Sequence, residues 1–128
     1  MKETLWNSEG YKVLYTNLKG VAFSPTLKIF RIKYRTDYFR YKTICNKGNH
    51  KVGIPLYSKN VICIAIKDNP EDEPNKKYFI KGIKTCLKKT WDKPLIIPYM
   101  YMGLSPKDFK EVVLKFNTGN NIIHFIGL

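Results

Sequence analysis

The chain has 128 residues, 44% of them hydrophobic, which suffices for one packed core and excludes a disordered polar chain. Lys and Arg number 23 against ten Asp and Glu, a net charge of +13 that points to a polyanionic neighbour such as nucleic acid or an acidic protein. No apolar run approaches the ~20 residues of a membrane span, and MKETLWNSEG lacks the apolar core of a secretory leader, so the expectation is an intracellular protein, cytoplasmic or nuclear, with no membrane partner.

In chain order, Lys12 to Asn17 (KVLYTN) reads as a strand. It runs into a loop, Leu18 to Ser24, that contains Gly20. Ser24 and Pro25 make a helix start, an N-cap followed by proline at the first helical position. Leu27, Phe30, Arg31 and Tyr34 would then share a helix face. Lys28 to Arg35 also alternates as a strand would, with Arg31, Lys33 and Arg35 on one side, and periodicity alone leaves the two readings open. Tyr38, Tyr41, Lys42 and Cys45 continue as helix, ending at Asn46 to Gly48.

Val52 to Tyr57 and Val61 to Ile66 read as strands, the second nearly all apolar. The turn from Asp68 to Pro74 carries four of the ten carboxylates, Asp68, Glu71, Asp72 and Glu73. Asn75 to about Lys89 is a helix that buries Phe79, Ile83, Cys86 and Leu87 and turns Lys77, Lys81, Lys84 and Lys88 outward, a solvated face that would also suit phosphates. Leu95 to Ile97 forms a short buried strand that Pro98 ends. A loop from Tyr99 to Leu104 follows, then a second Ser-Pro helix start at Ser105 and Pro106. Phe109, Val112, Val113 and Phe116 recur at helical spacing, Gly119 stops that helix, and Ile122 to Ile126 is the last strand.

The second half is therefore β-α-β-α-β, with right-handed crossovers and a parallel core. Ligands of open parallel sheets sit beyond the carboxyl ends of strands. The Tyr99 to Leu104 loop lies at such an end, beside a helix N-terminus that favours anions. No interval is long enough to divide the chain, so 1–128 reads as one domain. Cys45, Cys63 and Cys86 lack metal-ligand spacing and read as buried thiols. His50 and His124 have no neighbouring ligand motif, and His124 reads as a core or edge residue of the last strand. No metal or cofactor is expected.

Several stretches together resemble a macro domain, the ADP-ribose-binding module. IIPYMYMGLS has Pro98 followed five residues later by Gly103 and Leu104, the spacing of that family's IP-x-x-G-x-G-L turn. VICIAIKD, the helix KKYFIKGIKTCLKKT and the closing NNIIHFIGL also fit. In TNLKGVAFSPTLKIFRIKYRTDYFRYKTIC, Asn17, Gly20 and Val21 stand where the family has Asn and Gly-Val, which favours helix over strand for Leu27 to Tyr34. The resemblance implies a three-layer α/β/α fold with a mostly parallel mixed central sheet. It implies a ligand, ADP-ribose or a related nucleotide, held by Asn17, Lys19, Gly20, Val21 and Ser24 in one loop and by Tyr99, Met100, Tyr101, Met102, Gly103 and Ser105 in the other.

Departures from the family pattern set further expectations. Phe23 and Pro25 stand near expected glycines, and Tyr101 replaces the first glycine of the second loop. All three narrow a groove that must admit a diphosphate. The family's opening strand with its adenine-binding Gly-Asp has no counterpart in MKETLWNSEG. Where one hydrolase branch carries a Lys and an Asp, this chain has Arg31 and Ser105; neither supplies an amine nucleophile or a carboxylate base. Asp68 and Glu71 are the remaining carboxylates at a strand end. The expectation is a divergent macro domain that binds ADP-ribose or a related nucleotide without efficient turnover. One alternative is a closed-pocket relative that grips nucleic acid, poly(ADP-ribose) or a protein through its basic surface. The other is a hydrolase with unusual catalytic residues.

Overall fold

A computed structural model describes residues 4–128. Five strands, β1 (Tyr11–Asn17), β2 (Leu56–Tyr57), β3 (Val61–Lys67), β4 (Leu95–Pro98) and β5 (Ile123–Ile126), lie in the order β2-β3-β1-β4-β5. All neighbouring pairs are parallel except β2 with β3. Helices α1 (Pro25–Lys33) and α2 (Arg35–Asn46) cover one face, and α3 (Lys76–Leu87) and α4 (Pro106–Phe116) the other. This is the three-layer α/β/α arrangement with a mostly parallel mixed sheet.

The alternation of side chains along a strand assigns the two faces. Val13, Tyr15, Ile62, Ile64, Ile66, Leu95 and Ile97 pack with Phe79, Ile83, Phe109 and Val113 of α3 and α4. Leu14, Val61, Cys63 and Ile96 pack with Leu27, Phe30, Tyr38, Tyr41 and Cys45 of α1 and α2. The near-continuous apolar runs of β3 and β4 follow, because both faces of these strands are covered. Gly82 brings α3 close to the sheet: a Cβ there would meet Ile64 Cγ2 at 2.5 Å.

The segment with two readings is helical. Ser24 accepts from the Leu27 N–H and Pro25 stands in the first turn, so α1 starts firmly and runs to Lys33 before the chain bends at Tyr34 into α2. Leu27 and Phe30 are buried and Tyr34 is half-buried, but Arg31 is exposed rather than on their shared face. The strand expected over Val52 to Tyr57 shrinks to Leu56–Tyr57. Gly53 turns at a φ of 80°, leaving only an isolated bridge between Lys51 and Ile54, and Pro55 has no N–H to donate. Lys77, Lys81, Lys84 and Lys88 are all exposed, as the amphipathic pattern requires.

Candidate functional site

The neighbouring strands β1 and β4 send their following loops to opposite faces of the sheet. From Asn17 the chain turns to α1; from Pro98 it turns to α4. A crevice opens beyond the carboxyl ends of such a pair, at a topological switch point. A small, partly open cavity of about 50 Å³ lies there. Tyr15 and Asn17 of β1, Ile66 and Lys67 of β3, and Met100 just after β4 line its floor and sides. Phe23, Ser24 and Leu27 close it from the first loop and α1, with Pro74 opposite.

Asn17 organises the first loop. It is fully buried, and its Oδ1 accepts from the backbone N–H of Lys19 at 3.0 Å and of Val21 at 3.3 Å. Its Nδ2 donates to the Val21 carbonyl at 2.9 Å, and the Tyr41 hydroxyl donates to its backbone carbonyl at 2.8 Å. Each polar group of the side chain is thus engaged within the loop, an Asx-type brace that sets the loop's shape. Gly20 occupies the turn at a φ of 75°, and a Cβ there would press on Lys42 Cα at 3.2 Å. The conformation and the space both call for glycine. Lys19 and Val21 are exposed, and the Tyr38 hydroxyl donates to the Gly20 carbonyl.

In the second loop the Tyr99 hydroxyl donates to the Leu104 carbonyl at 2.6 Å and closes the turn on itself. Met100 reaches the cavity, whereas Met102 is buried in the α3–α4 core and Tyr101 is 72% exposed. The narrowing at this end therefore comes from Met100, and not from Tyr101 as the missing glycine suggested. Gly103 has a φ of 94°, and the Lys76 side chain passes 4.0 Å from where its Cβ would be. Among the described residues no hydrogen bond occupies the backbone N–H groups from Met100 to Leu104. Tyr15, whose hydroxyl donates to the Pro98 carbonyl at 2.6 Å, ties β1 to the start of this loop. Burial holds that phenol well above its ordinary pKa, so it remains a donor.

Both helices that meet the crevice give few amides to an anion. In the first turn of α1, Pro25 has no N–H and that of Leu27 goes to Ser24 Oγ, which leaves Thr26. In α4, Pro106 has none and Asp108 N–H goes to Ser105 Oγ, which leaves Lys107, while the Asp108 carboxylate already complements the helix dipole. Ser24 and Ser105 are N-caps. Cations stand at the crevice instead. Lys67 lines the cavity with its Nζ 5.4 Å from the centre of the Phe23 ring, and Lys76 lies beside Gly103. Phe23 is 53% exposed, so its ring is held from one side only. Sequence patterns missed Lys67 and Lys76, because each arrives from a different strand end or helix start.

The candidate catalytic residues do not converge on the cavity. Arg31 is exposed on α1 and lines a separate surface groove. Asp68 accepts from the Tyr78 hydroxyl at 3.1 Å, Asp72 accepts from the Asn69 N–H, and Glu71 is exposed, so the acidic turn is a solvated one. His50 lies behind β1, with its Nε2 2.9 Å from Thr16 Oγ1; burial lowers its pKa to about 4 and keeps the ring neutral. His124 is on the edge strand β5. The three cysteines are buried free thiols, and no group of three or more metal-ligating side chains exists among the described residues. No helix among them is long and apolar enough to cross a membrane.

No family model matches the sequence, and no curated protein matches it. Solved structures do. The macrodomain of Mycobacterium tuberculosis DarG superposes with a TM-score of 0.81 at 13% identity, over 98% of this chain and 93% of that one. The macrodomain of Thermus aquaticus DarG gives 0.81 at 14%, over 99% and 95%. Thermosipho africanus DarTG, solved in complex with ADP-ribose, gives 0.79 at 12%, over 98% of this chain and 40% of that one. The fold is that of a macrodomain, reached with a sequence far from those of the matching structures.

Proposed function

We propose that the chain binds ADP-ribose, or a nucleotide of the same class, in the crevice between β1 and β4 and does not turn it over. One observation carries the reading: a small cavity lies at the carboxyl ends of β1 and β3, beside Met100 of the loop after β4 and next to the switch point of the sheet. A protein of the same fold, Thermosipho africanus DarTG, has been solved with ADP-ribose. In the bound state Lys67 and Lys76 neutralise the diphosphate. The uncommitted amides of Met100, Tyr101, Met102, Gly103 and Leu104 donate to it, together with Thr26 and Lys107. Asn17 acts by bracing Lys19, Gly20 and Val21 in place. Ser24, Ser105 and Tyr99 hold the helix starts and the loop turn that frame the site.

The cavity of about 50 Å³ is far below the ~300–1,000 Å³ of ordinary ligand pockets, so binding requires opening. Phe23 and Met100 are the two side chains that move. Releasing the Phe23 ring from Lys67 costs on the order of 0.5–1 kcal/mol, small against a nucleotide's binding energy. Absence of turnover follows from chemistry: Arg31 lies away from the cavity, Ser105 caps α4, and Asp68 is paired with Tyr78.

The experiment is a titration of 15N-labelled protein with ADP-ribose. Saturable shifts confined to residues 17–26, 67, 76 and 99–107, with no ADP-ribose released from an ADP-ribosylated substrate, are expected. Absence of shifts at millimolar ligand rejects the binding reading, and release of ADP-ribose rejects the inactive one.

A further inference from the structure

The chain carries 23 Lys and Arg, yet its only arginines are Arg31, Arg35 and Arg40, all within ten residues. They lie on α1 and α2, away from the crevice. Arg31 and Arg35 line an open groove between these helices with Lys42, and its apolar surface comes from Ile32, Tyr38 and Phe39; the groove encloses about 460 Å³. Ile32 is 73% exposed and Phe39 56%, so two large apolar side chains stand in water in the same groove as three cations. No carboxylate lines the groove. The one acidic residue of the two helices, Asp37, is buried and accepts from Asn60 instead.

Exposed apolar side chains offer a contact surface where they share one groove with clustered cations, as Ile32 and Phe39 do. Arginine forks bind planar anions at two points, which the lysines used elsewhere on this surface do not. Carboxylates and phosphates both meet that requirement, and the apolar part separates them. A single nucleic-acid strand gains its stacking energy from a run of exposed rings under its bases. Here only Phe39 offers one: Tyr38 is 5% exposed with its hydroxyl engaged, and Ile32 is aliphatic. An aliphatic knob, one ring and three cations without a carboxylate complement an acidic amphipathic helix, whose apolar anchors enter the groove while its Asp and Glu side chains meet the rim. We infer that the α1–α2 groove is a docking site for an acidic amphipathic segment of a partner protein, engaged by Ile32 and Phe39 as apolar anchors and by Arg31, Arg35 and Lys42 as carboxylate receptors. This surface works independently of the nucleotide crevice.

The test uses the full chain and a fluorescein-labelled helical peptide with Leu and Phe on one face and Glu on the other. Fluorescence anisotropy at moderate salt reads binding. A matched peptide with Gln for Glu and a single-stranded oligothymidine are run beside it. Saturable binding of the acidic peptide is expected, weakened about tenfold or more by Ile32→Ser or Phe39→Ser and by the Gln peptide. Arg31→Lys with Arg35→Lys weakens it severalfold at unchanged net charge. All four positions are exposed, so these variants fold. Binding that ignores Ile32→Ser and Phe39→Ser and falls only with salt is charge attraction alone and overturns the inference. So does tighter binding of oligothymidine lost through the same substitutions, which makes the groove a nucleic-acid face, and so does no binding of the acidic peptide.

Discussion

Replacing Asn17 by Ala removes the brace of the first loop. The side chain makes three bonds with the loop backbone: Lys19 N–H and Val21 N–H to Oδ1, and Nδ2–H to the Val21 carbonyl. At a net ~1 kcal/mol for each bond the upper figure is about 3 kcal/mol. Lys19 and Val21 are exposed, so water can replace part of what their backbone groups lose, and the expected cost is about 2 kcal/mol. That is a sizeable part of a domain's ~5–15 kcal/mol of stability. Urea unfolding reads it as a lower midpoint at an unchanged m-value. Tyr41→Phe removes the hydroxyl that donates to the Asn17 backbone carbonyl at 2.8 Å and costs a further ~1 kcal/mol. The double variant should lose less than the sum, since the Tyr41 hydroxyl bonds both the carbonyl and the Oδ1 of Asn17 and the two residues belong to one network. A loss below about 0.5 kcal/mol for Asn17→Ala would refute the brace, because so small a value is typical of a surface substitution that touches nothing.

Other expectations follow from the same packing. Gly82→Ala drives a methyl into Ile64 and should destabilise by about 1–3 kcal/mol in the same urea assay, against the usual helix-stabilising effect of that change. His50 has a folded pKa of about 4 against 6.5 in the unfolded chain, so its contribution is complete above pH 6.5 and is lost as the pH falls towards 4, roughly 3 kcal/mol in all. His50→Gln should flatten the stability profile between pH 7 and 4.5, and an unchanged slope would refute the assignment. Burial raises the Cys45 thiol to about 11 and the Cys86 thiol to about 12, and lifts Cys63 further. None of the three should react with iodoacetamide at pH 8 in the native protein, and all should react in urea.

The fold was legible where local chemistry and periodicity agree. Ser105-Pro106 and the Phe109–Val113 spacing specify α4, and the unbroken VICIAI specifies a strand covered on both faces. The shortness of β2 was hidden, because Val52 and Ile54 suit a strand while the positive φ of Gly53 and the missing N–H of Pro55 act only through pairing with a neighbour. Arg31 was misplaced because it sits one turn after Leu27, so spacing alone put it on the buried face although it is exposed. The crevice was legible in part. The loops at Asn17 and Pro98 and the narrowing by Phe23 came from sequence, but Lys67 and Lys76 reach the site only through the strand order, and Met100 rather than Tyr101 turns inward for reasons of loop geometry.

Calorimetric titration with ADP-ribose of the natural chain and of Phe23→Ala decides whether the closed crevice opens for a nucleotide. Removing the ring removes the ~0.5–1 kcal/mol needed to lift it off Lys67, so the variant should bind about two- to fivefold more tightly than the natural chain. Binding by both proteins with that order of affinities is the predicted result. No heat from either protein, with the fold of Phe23→Ala intact, would mean that the crevice does not open for this ligand.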